Sequence, residues 1–207
     1  LTSLLGHYRE LLTCLAKDPL SKVGDITLVS QSEQVLILDK WNQTQVNYPQ
    51  RKSLVELFTD QVTKTPDTVA IENSDSALTY AQLNSKANQL ANYLKEQGVG
   101  PDKLVGICLE RSVETVIAII ATLKAGGGYV PLDPAYPEDR LQYMFADSGA
   151  IVLIEQESTR HLLDRFDGIR LDIGQLETVI ASYSDEFVNV VAAPDNLAYL
   201  VYTSGST

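Results

Sequence analysis

Along the 207 residues, short apolar runs of strand length alternate with stretches in which apolar residues recur every three or four positions. Leu104 to Leu109, Tyr129 to Leu132, Ile151 to Ile154 and Ile169 to Asp172 are of the first kind and predict strands. Between them, Val113, Val116, Ile117, Ile120 and Leu123 form one face of a helix from Ser112 to about Ala125. A further helix is expected over Pro137 to Asp147, and helix-like segments over Ser158 to Phe166 and Gly174 to Ser182. Strands alternating with helices call for an α/β fold with a mostly parallel sheet and helices on its faces.

Start and stop signals frame the preceding elements. Ser53 with Glu56, and Thr79 with Gln82, have capping-box spacing, and Leu78 with Leu83 occupy the positions of a hydrophobic staple. The first helix should end before Pro66 and the second at Gly98, where glycine can turn left-handed. Val69 to Glu72 reads as a short strand and Asn73 to Ser76 as a turn. Upstream, Leu4, Leu5, Tyr8, Leu11, Leu12 and Leu15 make an amphipathic helix over Leu1 to Lys17, ended by Asp18 and Pro19. That stripe has little of its own domain to face, which suggests the last helix of something upstream. Glu33 to Trp41 reads as a short helix, and the polar stretch Asn42 to Lys52 as an interdomain linker.

Two segments depart from this economy. Leu197 to Tyr202 reads as a buried strand that feeds five small residues, Thr203, Ser204, Gly205, Ser206 and Thr207. Such a turn, at the carboxyl end of a parallel strand, can offer hydroxyls and unhindered backbone N–H groups to phosphate. The phosphate-loop pattern GxxxxGK[ST] is not met, because no lysine lies within Thr203 to Thr207. Three consecutive glycines, Gly126 to Gly128, follow the helix that ends near Ala125. They serve a special backbone path or the close approach of another segment, and a packed helix-to-strand connection is favoured over ligand contact.

Charge narrows the function classes. Sixteen basic against 27 acidic residues leave a net charge of −11, which argues against nucleic acid or an anionic membrane as partner. Cys14 and Cys108 lie far apart in apolar segments and read as buried thiols of a reducing compartment. His7 and His161 stand alone, so no metal site is expected. There is no signal-peptide pattern, which points to the cytoplasm.

Taken together, LTYAQL (Leu78 to Leu83), LKAGGGYVPLDP (Leu123 to Pro134) and LAYLVYTSGST (Leu197 to Thr207) resemble the first three core motifs of nonribosomal peptide synthetase adenylation domains, in order. TPDTVAI, ANQLANYL, GICLERS and YPEDRL are similar to the same family, so the resemblance runs nearly unbroken from Ser53 to Thr207. Residues 1–41 resemble the tail of a condensation domain, with 42–52 as linker and 53–207 as the amino-terminal portion of an adenylation domain, truncated within the phosphate loop.

The resemblance implies the large subdomain of adenylate-forming enzymes. Its reaction joins an amino-acid carboxylate to the α-phosphate of ATP, with Mg²⁺, giving an aminoacyl adenylate and pyrophosphate. The acyl group then passes to the phosphopantetheine thiol of a carrier domain. Thr203, Ser204, Gly205, Ser206 and Thr207 would begin the loop around the β- and γ-phosphates, with Tyr202 holding it in place. The family's loop lysine and catalytic lysine have no counterpart in the chain, so no catalytic residue is assigned and the chain alone is expected to be inactive. The alternatives are an acyl-CoA synthetase-like ligase, disfavoured by the upstream segment, and a non-catalytic remnant.

Overall fold

The computed structural model describes residues 2–47, 52–74, 76–186, 193 and 195–203. The chain divides into two compact units, residues 1–49 and 50–207. In the first, α1 (Thr2–Lys17) is followed by a short α2 (Gln31–Gln34) that continues into a π-helical turn, Val35–Lys40. Ser30 caps α2 and shares a capping box with Glu33, whose carboxylate also meets His7 Nε2 at 3.1 Å. None of this unit's described residues is buried, and the apolar stripe of α1 stands open, with Leu4 71% exposed.

The second unit holds the core. Helix α3 (Leu54–Lys64) leads to a hairpin of β1 (Val69–Glu72) and β2 (Ala77–Thr79), then α4 (Tyr80–Glu96). Both expected capping boxes form, Ser53 with Glu56 and Thr79 with Gln82. The sequence reading missed β2, because Leu78 and Thr79 carry the staple and cap of α4; with Ala77 they also pair antiparallel with β1. The main sheet has the order β4-β3-β5-β6, all parallel, with β3 Leu104–Cys108, β4 Gly128–Pro131, β5 Val152–Glu155 and β6 Ile169–Asp172. Crossovers are α5 (Val113–Lys124) from β3 to β4 and α6 (Glu138–Ser148) from β4 to β5. The segment expected as a helix near Ser158 is a 3-10 turn, Glu157–Leu163, and the one expected over Gly174 to Ser182 holds the short helix α7 (Leu176–Ile180).

Strand β3 is buried along its whole length because it is central and covered on both faces. One face carries Val105 and Ile107 against α4 and α5; the other carries Leu104 and Cys108 against α6. Gly106 has no side chain because the ring of Phe145 on α6 fills that space: a Cβ there would lie 2.4 Å from Phe145 Cε2.

The expectation of a buried strand over Leu197 to Tyr202 requires correction. The segment makes a single parallel bridge, Tyr199 to Tyr129, with the Tyr129 N–H donating to Ala198 O (3.1 Å) and the Leu200 N–H to Tyr129 O (2.9 Å). Leu197, Tyr199 and Val201 are each about half exposed, at 50, 56 and 49%. The segment lies outside β4, the edge of the four-stranded sheet, with Leu200 and Tyr202 on the covered face toward α6 and Leu197, Tyr199 and Val201 on the open one. Cys108 is buried as expected, whereas Cys14 is half-buried, because α1 has no core to enter.

The glycine run does two jobs. Gly126, at φ +90°, closes α5: its N–H donates to Leu123 O and the Gly127 N–H to Thr122 O, both at 3.0 Å. Gly98, at φ +86°, ends α4 with the same pair of bonds. Gly127 and Gly128 are approach points, since a Cβ on Gly127 would lie 2.8 Å from Lys103 O and one on Gly128 3.0 Å from Leu197 O.

Lys124, the last residue of α5, is 1% exposed. Its Nζ donates to Asn84 Oδ1 and Asn88 Oδ1, both at 2.8 Å, and lies 5.6 Å from the Phe58 ring centroid. The Asn88 amide donates in turn to Asp185 O at 2.8 Å, so one buried ammonium ties α3, α4 and α5 to the segment beyond α7. Burial pushes its pKa down from 10.5 to about 8. No helix among the described residues is long and apolar enough to cross a membrane.

Gly106→Ala should lower the free energy of unfolding in urea by about 1–3 kcal/mol through overpacking, while Gly100→Ala, with no atom within 4 Å of the added Cβ, stays within about 0.5 kcal/mol. The lowered pKa of Lys124 means that the unfolded chain binds the extra proton above pH 8. Stability should therefore rise between pH 7.5 and 9.5 by on the order of 2 kcal/mol relative to Lys124→Met, and a wild-type profile parallel to the variant's would contradict it.

Candidate functional site

At the carboxyl ends of β3 and β4 lies a cleft of about 600 Å³. Its polar lining comes from Glu110, Arg111, Thr115, Asp133, Tyr136 and Tyr202, over an apolar floor that includes Ile107 and Leu132. This is where an open parallel sheet receives ligands, because strand ends present backbone groups and loops diverge there.

The loop after β3 is held from both sides. The Glu110 N–H donates to Gln156 Oε1 (3.0 Å), and the Thr115 hydroxyl donates to Glu110 O (2.8 Å). Ser112 caps α5 by accepting from the Thr115 N–H. Glu110 and Arg111 are thereby fixed at the rim. On the opposite wall, Asp133 Oδ1 accepts from the Ala135 N–H at 2.9 Å, and the Arg140 guanidinium lies 4.4 Å from the ring centroid of Tyr136.

Beside the cleft, the ends of β5 and β6 are locked by a buried charge cluster. Glu155, 1% exposed, receives a two-pronged bond from Arg170, at 2.9 Å from Nε and 2.6 Å from Nη2, and a longer one from Arg160 at 3.3 Å. Such a pair fixes geometry, since desolvation offsets much of its attraction. Thr159, also buried, donates to Cys108 O at 2.8 Å and so ties the 3-10 turn to the end of β3.

Of the five residues expected to meet phosphate, Thr203 is placed at the cleft end of the last segment, exposed and next to Tyr202. Ser204, Gly205, Ser206 and Thr207 lie outside the described residues. The Tyr202 hydroxyl donates to Asp147 Oδ2 at 2.6 Å; burial and this bond hold its ionisation well above the ordinary phenol range. At the other end of the segment, Asp102 takes a left-handed φ of +58° and its carboxylate accepts from the Leu197 N–H (3.1 Å) and the Asn196 amide (3.0 Å). Sequence reasoning missed Glu110, Arg111, Asp102 and Asp147. The first two stood in a recognisable GICLERS segment at a strand end, whereas the two aspartates carried no spacing signal.

Parallel topology and a cleft at the strand ends, lined by Val201 and Tyr202 of the segment that leads to Thr203, define an α/β unit with a ligand site where open parallel sheets carry one. Residues 58–207 match the family model described as AMP-binding enzyme, and the chain belongs to that family. It is 42% identical over 99% of its length to gramicidin S synthase 2 of Brevibacillus brevis, covering 4% of that protein. It is 41% identical over 97% of its length to tyrocidine synthase 3 of Brevibacillus parabrevis, covering 3% of it. The chain thus spans a few per cent of the length of these relatives. Among solved structures, the α-methyl-L-serine-AMP-bound form of the nonribosomal peptide synthetase FmoA3 superposes with a TM-score of 0.76 at 28% identity, over 97% of this chain and 23% of that one.

The two thiols give a direct check on the burial described above. Burial pushes the Cys108 thiol up to about 11, so it offers no thiolate nucleophile at neutral pH. A disulfide reagent should titrate Cys14 promptly in the native chain and Cys108 only after denaturation; two fast thiols would overturn the buried placement of Cys108.

Proposed function

We propose that this chain is part of a nonribosomal peptide synthetase module whose adenylation domain activates an amino acid with ATP. The observation that carries this reading is the extent of the match to the synthetases. It takes in 99% of the chain, including residues before position 58 that the AMP-binding model leaves out. An acyl-CoA synthetase-like ligase would need only the second unit. On this reading residues 1–41 are the tail of a condensation domain, 42–52 the linker, and 53–207 the amino-terminal portion of the adenylation domain.

When bound, ATP supplies the α-phosphate to which the amino-acid carboxylate becomes joined, with release of pyrophosphate. The chain's own contribution is to bind and orient. Thr203 to Thr207 offer hydroxyl and N–H donors to the β- and γ-phosphates, and Gly205 allows backbone to approach them. The donor set of the cleft suits polyphosphate held with Mg²⁺ better than bare polyphosphate. Arg111 supplies N–H donors, while Glu110 and Asp133 would repel phosphate charge that no cation offsets. The apolar floor lowers the effective dielectric and strengthens those contacts. Phosphopantetheine on a downstream carrier domain accepts the acyl group, and the assembly works in the cytoplasm.

The complete module should exchange labelled pyrophosphate into ATP in the presence of its amino acid. The 207-residue chain alone should not, since the turn brings no lysine to offset phosphate charge. Absence of exchange from the complete module with every proteinogenic amino acid would refute the reading, and exchange by the chain alone would refute the division of labour.

A further inference from the structure

We propose that Asp147 is a positioning residue for the hydroxyl turn, acting through the Tyr202 hydroxyl. The inference rests on the proposed function for what the turn binds, and on geometry alone for how the turn is aimed. The segment leading to the turn rides the edge of the sheet, and its ladder bonds to β4 are the Tyr129 N–H to Ala198 O and the Leu200 N–H to Tyr129 O. The bridge fixes the segment around Tyr199, and beyond Leu200 no ladder bond to β4 is seen among the described residues, so its exit direction depends on what holds Tyr202. At the entrance the anchor is Asp102, whose carboxylate accepts from the Leu197 N–H. Two residues past the last ladder bond, and next to Thr203, it is the 2.6 Å bond from Tyr202 to Asp147. Asp147 is a firm base, because Leu141, Met144 and Phe145 seat α6 in the core. A carboxylate acceptor makes the bond short and strong, and the tyrosine that donates it lines the cleft.

The test has two arms, with thermal melts to confirm that each variant folds. In the 207-residue chain, amide hydrogen exchange of the peptide over residues 197–207 is measured for wild type, Tyr202→Phe, Asp147→Ala, Asp147→Asn and the Phe/Ala double variant. Losing one such bond should speed exchange there by about tenfold in Tyr202→Phe and Asp147→Ala. Asp147→Asn, which keeps an acceptor oxygen, should stay close to wild type, and the double variant should be no faster than either single one. In the complete module, Tyr202→Phe and Asp147→Ala should raise the KM for ATP by about tenfold with a smaller change in kcat. A merely structural role would lower melting temperature and active fraction and leave the KM for ATP alone. Unchanged exchange in both single variants, or additive effects in the double, overturns the positioning role whatever the module does. A wild-type module without pyrophosphate exchange sinks the functional reading, and the hydrogen-exchange arm still decides how Asp147 acts.

Discussion

The close approach of backbones at Gly127 and Gly128 is the constraint on which the second unit depends. Here the end of α5 meets the start of β3 through Lys103 O, and the start of β4 meets the last segment through Leu197 O. Any Cβ at these positions would enter space already taken by carbonyl oxygens at 2.8 and 3.0 Å. Backbone cannot yield as a flexible side chain can, so α5, β3, β4 and the last segment share one fixed point. From it β4 runs in register with β3, and the 197–202 segment lies against β4 with Tyr199 opposite Tyr129. The cleft is the space these strands leave at their far ends.

Two kinds of polar anchor then hold what the strands deliver. Buried, fully engaged groups brace the scaffold: Lys124 among Asn84, Asn88 and Phe58, and Glu155 between Arg170 and Arg160. Neither group faces the cleft, and both join elements distant in sequence, at the cost of desolvating a charge. Exposed carboxylates, Asp102 and Asp147, instead pin the two ends of a segment that the sheet holds on one side. On the proposed function, this division suits a loop that meets a charged ligand. The scaffold stays rigid, and the anchors next to the loop remain accessible to water and ions.

Much of the fold was legible because its signals are local. Capping boxes at Ser53 and Thr79, the glycine stop at Gly98, and the apolar period of α5 each state their structure within a few residues. The glycine run was legible as a packed connection for the same reason. Burial of Leu197 to Tyr202 was misjudged because an apolar run reads alike at the centre of a sheet and at its edge; neighbours across the sheet decide, and periodicity does not report them. The 3-10 turn at Glu157–Leu163 was read as a helix because its stability comes from Thr159 bonding to Cys108 O, 51 residues away. Of the proposed site, the hydroxyl turn is a reading from composition, and the structure describes only Thr203 of it. Asp102, Asp147 and Arg111 were not legible, since single charged residues acquire roles only when the fold brings their partners to them.

The central claim is that the segment ending at Thr203 delivers its turn to nucleotide phosphate. Its most direct test is photolabelling of the complete module with an ATP analogue that carries the reactive group on the γ-phosphate, followed by peptide mapping. Label should appear on the tryptic peptide that begins at Leu171 and includes the turn, and excess MgATP should abolish it. A module that is labelled and protected by MgATP, yet carries no label on that peptide, would contradict the placement of phosphate at this turn.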